Sequence, residues 1–226
     1  DSFRAFATDA AKVDFLFVND GSKDGTLALL ERLHAEDPSR FAVLDLKKNS
    51  GKAEAVRHGI QKAMDSAPDL VGFWDADLAT PLTEIPLFLQ VFDERPDIDM
   101  VFAARVRLLG RHISRRPSRH YFGRVGATLI SRTLGLAVYD TQCGAKLFRV
   151  NYTLRQIFAT PFLSRWIFDV EIIARLVQLR GRDEAARAIY ELPIREWHDV
   201  GGSKVTARDF GRALRDLRKI SKAYRM

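Results

Sequence analysis

Cysteine is scarce in this chain of 226 residues, where Cys143 is the only one. A single thiol excludes an intrachain disulfide and is typical of proteins in a reducing compartment. No recognisable motif pairs it with a histidine, so we interpret Cys143 as a small buried hydrophobic residue. The five histidines are scattered without metal-ligand spacing, and we assign them no role.

Long apolar runs are also missing, since none approaches the roughly 18 residues of a membrane span. A signal peptide begins with a basic region followed by an apolar stretch, and residues 1–4 do not begin such a pattern. Repeats and Gly/Ser-rich linkers are absent as well. These observations predict a cytoplasmic protein with one domain at 1–204 and a basic C-terminal extension at 205–226.

Acidic residues are absent between Arg105 and Arg124, although the whole chain contains 29 of them. This stretch contains Arg105, Arg107, Arg111, Arg115, Arg116, Arg119 and Arg124. With a net charge of +7, the chain is expected to meet a polyanion, which is a nucleic acid, an anionic membrane or a phosphorylated substrate. Because arginine binds phosphate oxygens bidentately, we interpret this stretch as a site for an acceptor phosphate and anionic lipid headgroups. The alternative interpretation is a solvated basic surface.

Short apolar segments alternate with segments of helical periodicity along most of the chain. The predicted strands are 13–18, 41–46, 70–74, 100–104, 147–149 and 188–194. Helical spacing predicts inward faces formed by Leu27, Leu30 and Leu33 after the first strand and by Ile172, Leu176 and Leu179 before the last. Strands that alternate with helices indicate stacked βαβ units, an α/β fold and a largely parallel sheet.

Two carboxylates, Asp75 and Asp77, follow the apolar run 70–74. Ligands bind at the C-terminal edge of strands in such sheets, and residues two apart on a strand face the same way. Mg²⁺ is usually held by one or two carboxylates together with substrate phosphates. The alternative is an ordinary solvated turn, in which aspartate is common.

Two polar loops follow earlier strands, at 19–26 and 47–52. Such loops turn sharply and present backbone N–H groups to a ligand. Asp20 is expected to bind a base or ribose, or else to cap its own loop, while Asp24 is better placed to cap the next helix. Lys52 is expected to meet a donor group, or else to be a solvated lysine.

The polar turn 140–146 contains Asp140, Gln142 and Lys146. These side chains either reach a ligand or fasten a turn beneath the site. Asp169 and Glu171 open a helix, where carboxylates are favoured by the helix dipole whether or not they take part in chemistry.

Taken in order, these segments resemble the family 2 glycosyltransferases, and within them the dolichyl-phosphate β-glucosyltransferase-like branch. The resemblance covers nearly the whole chain. Its motifs are Val18-Asn19-Asp20-Gly21-Ser22, Asn49-Ser50-Gly51-Lys52, Asp75-Ala76-Asp77, Asp140-Thr141-Gln142-Cys143-Gly144 and Phe168-Asp169-Val170-Glu171. Residues 197–204 complete the series.

The resemblance implies a GT-A, Rossmann-like fold and inverting transfer of a hexose, with glucose from UDP-glucose expected, to a polyprenyl phosphate. It implies Mg²⁺ or Mn²⁺ on Asp77 and Asp75, and chemistry at Asp77, Asp140 and Lys146. The donor would be held by Asp20, Gly21, Ser22, Asn49, Lys52 and Asp75. The acceptor phosphate would be held by Arg105, Arg115, Arg116, Arg119 and Gln142. The enzyme would lie peripherally on the inner face of the membrane.

The chain departs from this family's pattern at three places. The family normally opens with a strand carrying a Pro-x-Tyr-Asn-Glu-like segment that touches the base, and this chain starts after it. Ala145 stands where phenylalanine is usual, and Leu78 stands where glycine is frequent. We interpret both substitutions as tuning.

The C-terminal segment from about Thr206 predicts a helix with Phe210, Leu214, Leu217 and Tyr224 along one side. Basic residues surround the rest, so this helix either lies on an anionic membrane or packs on the domain with a basic outer face. A rival interpretation of the chain, a nucleic-acid-binding module, lacks helix-turn-helix, zinc and RNP signatures. A second rival is a soluble glycosyltransferase with a saccharide or protein acceptor.

A phosphate acceptor also has a mechanistic implication. Its second pKa is about 6, so at neutral pH it is mostly a dianion and needs no general base. We therefore expect that no aspartate, glutamate or histidine outside the metal motif acts as an essential base, and that Asp140, Asp169 and Glu171 hold neighbouring groups in place.

Overall fold

The computed structural model describes residues 2–9, 13–113, 117–198 and 207–226, leaving out the side chains of 8–9, 117–124 and 207–208. Its strands are β1 (Phe15–Asp20), β2 (Phe41–Leu46), β3 (Leu70–Trp74), β4 (Met100–Ala104), β5 (His112–Ile113), β6 (Ala145–Arg149), β7 (Ile189–Pro193) and β8 (Glu196–Trp197). Its helices are α1 (Ser2–Asp9), α2 (Thr26–Glu36), α3 (Lys52–Ala63), α4 (Ile85–Glu94), α5 (Pro117–Leu134), α6 (Tyr152–Ala159), α7 (Phe168–Arg180), α8 (Arg182–Ala188) and α9 (Ala207–Ala223).

The strands combine parallel and antiparallel pairs. β1 and β2 pair in parallel, and β4 pairs in parallel with β7. β6 lies between β3 and β4 and runs antiparallel to both, giving the order β3-β6-β4-β7. The α/β class is confirmed, whereas the direction of β6 was not anticipated. Its reversal brings the start of β6 to the edge at which β3 ends, because Ala145 pairs with Trp74.

The four-stranded sheet is buried on both faces. On β4, Met100 and Phe102 enter one apolar cluster while Val101 and Ala103 enter another. Successive side chains point to opposite faces of a strand, so these clusters lie on the two sides of the sheet. Residues of α6 and α7 contribute to the first cluster and residues of α4 to the second.

Two expectations about helix burial need correction. Leu27, Leu30 and Leu33 have helical spacing on α2, but no residue of α2 is fully buried. The strands that α2 mainly contacts are β1 and β2, and this two-stranded pair covers it only in part. Ile172 and Leu176 of α7 are buried as predicted. Leu179 was predicted to face inward and is 49% exposed, because it lies in the last turn of α7 beyond the buried stretch 168–176.

The C-terminal helix α9 packs against α5 and α7. Leu217 and Ile220 are buried in the larger apolar cluster, and Arg212, Arg215 and Arg218 are exposed. Of the two predicted arrangements, the structure shows packing on the domain with a basic outer face. Within the described ranges, no helix combines the length and the apolar character needed to cross a bilayer.

Candidate active site

The predicted site residues converge at one edge of the sheets. β1 ends at Asp20 and β3 ends at Trp74. The turn before β6 lies beside the end of β3, since the N–H of Asp75 donates to the carbonyl of Gly144 over 2.8 Å. The Asp75-Ala76-Asp77 segment and the Asp140–Gly144 turn therefore meet in space although the sequence separates them widely. The polar loop 47–52 joins them, because Lys52 pairs with Asp75.

Asp20 joins the two polar loops. Its two carboxylate oxygens accept the backbone N–H groups of Ser50 and Gly51, each over 2.7 Å. Gly21 has φ of +65°, and a Cβ there would lie 2.6 Å from the backbone nitrogen of Asn49. Asp20 therefore caps the second polar loop, before α3, rather than its own loop, and its contact with a nucleotide stays a prediction.

The other loop residues mainly hold the backbone. The side-chain amide of Asn49 donates to the carbonyl of Asp20, and the N–H of Ser22 donates to the side chain of Asn19. Asp24 accepts from the N–H of Thr26, the first residue of α2, as its capping role predicts. Ser22 and Asn49 are both exposed, so their contact with a donor stays a prediction.

Asp75 is held from two sides. The ammonium of Lys52 lies 2.6 Å and 2.8 Å from its two carboxylate oxygens. On the other side the carboxylate lies against Gly144, where a Cβ would be 1.9 Å from Oδ2 of Asp75. Lys52 is therefore a partner of Asp75 rather than a solvated lysine, and Gly144 is glycine because any side chain would displace this carboxylate.

Asp77 is exposed, and its Oδ1 accepts the N–H of Ala79. Because β3 ends at Trp74, the strand alternation that predicted a common direction for Asp75 and Asp77 does not apply. The two residues lie in a turn closed by the N–H of Leu78 on the carbonyl of Asp75. Leu78 has φ of +53°, a conformation that glycine adopts readily and leucine rarely.

The carboxylate oxygens of this turn fit a hard divalent cation that a phosphate ligand would help to hold. No set of three or more His, Cys, Asp or Glu residues within the described ranges is arranged to hold a metal by itself. Asp77 has no cationic partner among the ion pairs of the described side chains, and Asp75 is shared with Lys52. Mg²⁺ typically uses one or two carboxylates and completes its shell with water and phosphate oxygens.

Lys146 is completely buried. Its ammonium lies 2.6 Å from Asp169 and donates to the carbonyl of Cys143 over 2.6 Å. The rings of Phe73 and Phe102 each lie 5.1 Å from the same nitrogen. Burial raises the pKa of Asp169, and the ammonium of Lys146 opposes that rise. In this geometry Lys146 fastens the turn beneath the site, and the chemistry implied for it stays a prediction.

Asp140 has a comparable role. Arg105 donates to it through Nε over 2.6 Å and through a terminal nitrogen over 2.8 Å. Glu191 accepts the N–H groups of Tyr139 and Asp140, and burial raises the pKa of Glu191. Arg105 was predicted to bind the acceptor phosphate, but its guanidinium is committed to Asp140 and lies 5.3 Å from the ring of Trp197.

The remaining predicted residues have mixed outcomes. Gln142 is half-buried and donates its N–H to Asp140. Arg115 and Arg116 lie outside the described residues, and Arg119 falls on α5 where side chains are left out. Cys143 is fully buried, and burial raises the pKa of its thiol, which confirms the interpretation of it as an inert core residue.

Sequence reasoning missed Arg165, which stands at the same edge. Its Nε donates to the carbonyl of Ser50 over 3.1 Å, and its side chain covers Gly51. The guanidinium is exposed, and no carboxylate pairs with it among the described side chains. The signal in the sequence was weak, because Arg165 is one basic residue in an irregular segment before α7.

Comparison with known proteins assigns the family. A profile described as "Glycosyl transferase family 2" matches residues 3–155. The chain belongs to glycosyltransferase family 2. A dolichyl-phosphate beta-glucosyltransferase of Trichomonas vaginalis is 30% identical over 217 residues, covering 94% of this chain and 60% of that protein. A dolichyl-phosphate beta-glucosyltransferase of Dictyostelium discoideum is 31% identical, covering 85% of this chain and 57% of that one.

The chain thus spans about three fifths of the length of these family 2 relatives. Among solved structures, glucosyl-3-phosphoglycerate synthase from Mycobacterium tuberculosis superposes with a TM-score of 0.58 at 16% identity. The match covers 92% of this chain and 67% of that one. That structure contains Mn²⁺, UDP-glucose and phosphoglyceric acid. At this identity the likeness concerns the fold, which is the GT-A fold predicted from the sequence.

Proposed function

We propose that this family 2 chain transfers a hexose from a nucleotide-diphosphate sugar to a polyprenyl phosphate, with glucose from UDP-glucose as the expected donor. The observation that carries the proposal is the cluster formed by Asp77, the Lys52–Asp75 pair and the Asp20-bound loop at one sheet edge. The similarity to dolichyl-phosphate beta-glucosyltransferases over most of the chain supports the lipid acceptor.

On the donor side, Asp77 and Asp75 would hold Mg²⁺ or Mn²⁺ together with the donor diphosphate. When bound, such an ion offsets the charge that develops on the leaving nucleoside diphosphate. Lys52 and Arg165 stand on the same edge and supply positive charge toward the phosphates. The loop between β1 and α2 lies beside them and would position the nucleoside.

On the acceptor side, the carboxylates that sequence reasoning considered as bases are already paired. Asp140 is bound by Arg105, Asp169 by Lys146, and Glu171 by Arg175. All three carboxylates are also buried, so they are poorly placed to take a proton from an arriving hydroxyl. This arrangement suits an acceptor that arrives as an anion, and a phosphate monoester is mostly a dianion at neutral pH.

The experiment is to incubate the chain with radiolabelled UDP-glucose, Mn²⁺ and a detergent-dispersed polyprenyl phosphate, and then to partition the products. We expect label in the organic phase, dependent on the polyprenyl phosphate. Label that appears only in water-soluble product when a saccharide, protein or phosphoglycerate is supplied would contradict the lipid acceptor. Repeating the assay with GDP sugars and with Mg²⁺ identifies the nucleotide and the cation.

A polyprenyl acceptor implies work at a membrane, and we propose peripheral attachment at the cytoplasmic face. The exposed cations Arg218 and Lys222 of α9 and the arginine-rich segment 105–124 support attachment to anionic lipid. Sedimentation of the chain with anionic vesicles tests this, and absence of binding at low salt would argue against it.

A further inference from the structure

A cleft of about 530 Å³ lies between α5 and α9, and the mechanism proposed above makes no use of it. Its volume falls within the roughly 300–1,000 Å³ typical of small-ligand sites. Leu129 of α5 and Leu214 and Leu217 of α9 line it, together with Arg218, Lys222 and Arg225. The cleft thus combines an apolar floor with a cationic rim.

Arg218 and Lys222 lie on one side of α9, because residues four positions apart share a helix face. Arg225 follows the end of α9 at Ala223 and lines the same cleft. All three are exposed. No carboxylate lies within ion-pair distance of any of them among the described side chains. Two other cations of the same helix are paired instead, Arg212 with Asp209 and Lys219 with Asp216.

The apolar part of the cleft continues onto the surface of α5. Leu129 is 36% exposed, and Val125, one turn earlier, is 54% exposed. Exposed apolar side chains next to a cationic rim are typical of a surface that meets a lipid headgroup and the first part of its chain.

We propose that the α5–α9 cleft binds an anionic phospholipid of the bilayer, with the phosphate between Arg218, Lys222 and Arg225 and the chain on the leucines. A free inorganic anion would use the cations and leave the leucines without a role. A nucleic acid would gain no base stacking, since none of the described residues that line the cleft is aromatic.

This proposal is independent of the transferase activity, because its test contains neither nucleotide sugar nor polyprenyl phosphate. The chain is titrated with vesicles of phosphatidylcholine, with or without phosphatidylglycerol, and bound protein is measured by sedimentation. The test variant is the triple substitution Arg218→Gln, Lys222→Gln and Arg225→Gln. The control is Arg212→Gln, Arg215→Gln and Lys219→Gln, which removes the same charge from the same helix outside the cleft.

We expect the cleft variant to weaken binding to anionic vesicles by roughly 100-fold, since each basic residue near an anionic surface contributes roughly fivefold. The control should weaken it at least tenfold less. Leu129→Asn, which changes no charge, should weaken binding several-fold. Circular dichroism should show unchanged folding, because the replaced side chains are exposed or half-exposed.

Equal losses in the two triple variants would overturn the proposal, because they would show attraction to net charge alone. An unchanged Leu129→Asn variant would overturn it as well, since the apolar floor would then be unused. Binding to vesicles with phosphatidylglycerol that is no tighter than binding to phosphatidylcholine alone would reject the anionic phospholipid.

Discussion

At the end of β3, two aspartates separated by one residue differ in what surrounds them. Asp75 is 35% exposed and is paired with Lys52, whereas Asp77 is exposed and pairs with no cation among the described side chains. Asp77 therefore has the carboxylate that is freer to enter a metal shell. The carboxylate of Asp75 is fixed by its pair with Lys52 and by its contact with Gly144. It therefore offers a negative charge in one defined orientation.

The first prediction concerns Asp77→Asn. Replacing an exposed carboxylate by its amide should change the free energy of unfolding by no more than about 0.5 kcal/mol. Mn²⁺-dependent donor binding should be lost, and turnover should fall on the order of 100-fold. Calorimetry with UDP-glucose and electron paramagnetic resonance of Mn²⁺ measure the binding. A folded variant with normal turnover would remove Asp77 from the metal site.

Gly144 gives a second prediction, because the space that a Cβ would need there is filled by the Asp75 carboxylate. In Gly144→Ala the new Cβ would lie 1.9 Å from Oδ2 of Asp75, so that carboxylate must move and its pair with Lys52 must break. We expect donor affinity to fall at least about tenfold with limited loss of stability.

The matched control is Gly211→Ala, since a Cβ at Gly211 meets nothing within 4 Å and Gly211 lies on α9, outside the donor site. This control should leave donor affinity unchanged. If the two variants bind donor equally well, Gly144 does not act through Asp75.

The buried pair of Lys146 and Asp169 supports a third prediction. Lys146→Met leaves an unpaired buried carboxylate, and breaking such a pair typically costs about 3–5 kcal/mol. Denaturant unfolding measures this loss. The double variant Lys146→Met with Asp169→Leu should recover much of it. A residue that acted only on the substrate would leave the denaturation midpoint unchanged.

The pH dependence of Lys146→Met follows from the raised pKa of Asp169. Without Lys146, the main opposition to the effect of burial is lost and only the attraction of Lys52 still lowers the pKa of Asp169. The proton is therefore held more tightly in the folded than in the unfolded state. Stability from such a group is present at low pH and is lost as pH rises through the folded pKa. The destabilisation should therefore be smaller at acidic than at alkaline pH, and the opposite trend would contradict the assignment.

At the scale of elements, periodicity and turn chemistry predicted most strands and helices, because these signals are local. The site loops were also predictable, since Gly, Asp and Ser after a strand mark a turn. The direction of β6 was not, because strand direction depends on which neighbour completes the sheet. The partners of Asp140, Lys146 and Asp20 were equally hidden, since each lies on another element.

The contact between α7 and the C-terminal end of α9 was also not predictable from the sequence. Glu171 is fully buried and accepts from Arg175 and from the hydroxyl of Tyr224 over 2.7 Å each. Its other oxygen accepts the N–H of Leu163. Glu171 therefore ties the residue that follows α9 to the segment that carries Arg165, in keeping with the prediction that it holds neighbouring groups in place.

Tyr224→Phe tests this contact. Loss of the hydroxyl removes one hydrogen bond to a buried carboxylate and should cost about 1–2 kcal/mol, with faster hydrogen exchange in α9. The control is Tyr152→Phe, because Tyr152 is 76% exposed and should change stability by less than about 0.5 kcal/mol. Equal stability of the two variants would show that the Tyr224 hydroxyl does not hold α9.

At the scale of the whole molecule, the net charge of +7 attracts any polyanion, which is why composition alone left a nucleic-acid-binding module open. Charge of this kind acts through many weak contacts, and each is screened by salt. A nucleotide sugar instead meets a few groups gathered at one edge. The two modes of binding therefore differ in how they respond to ionic strength.

The last prediction uses that difference. UDP-glucose with Mn²⁺ at about 100 times its Kd should stabilise the folded chain by about 2.7 kcal/mol, and the shift in Tm should persist when NaCl is raised. Duplex DNA releases condensed counterions when it binds, so its affinity falls steeply with salt, and any shift it causes should disappear. Asp77→Asn should remove the shift from the donor and leave the response to DNA intact. A salt-resistant shift with DNA, combined with no response to UDP- or GDP-sugars, would instead favour the nucleic-acid-binding module. Binding that resists salt requires contacts other than charge, and the edge formed by Asp75, Asp77 and Lys52 does not supply such contacts to DNA.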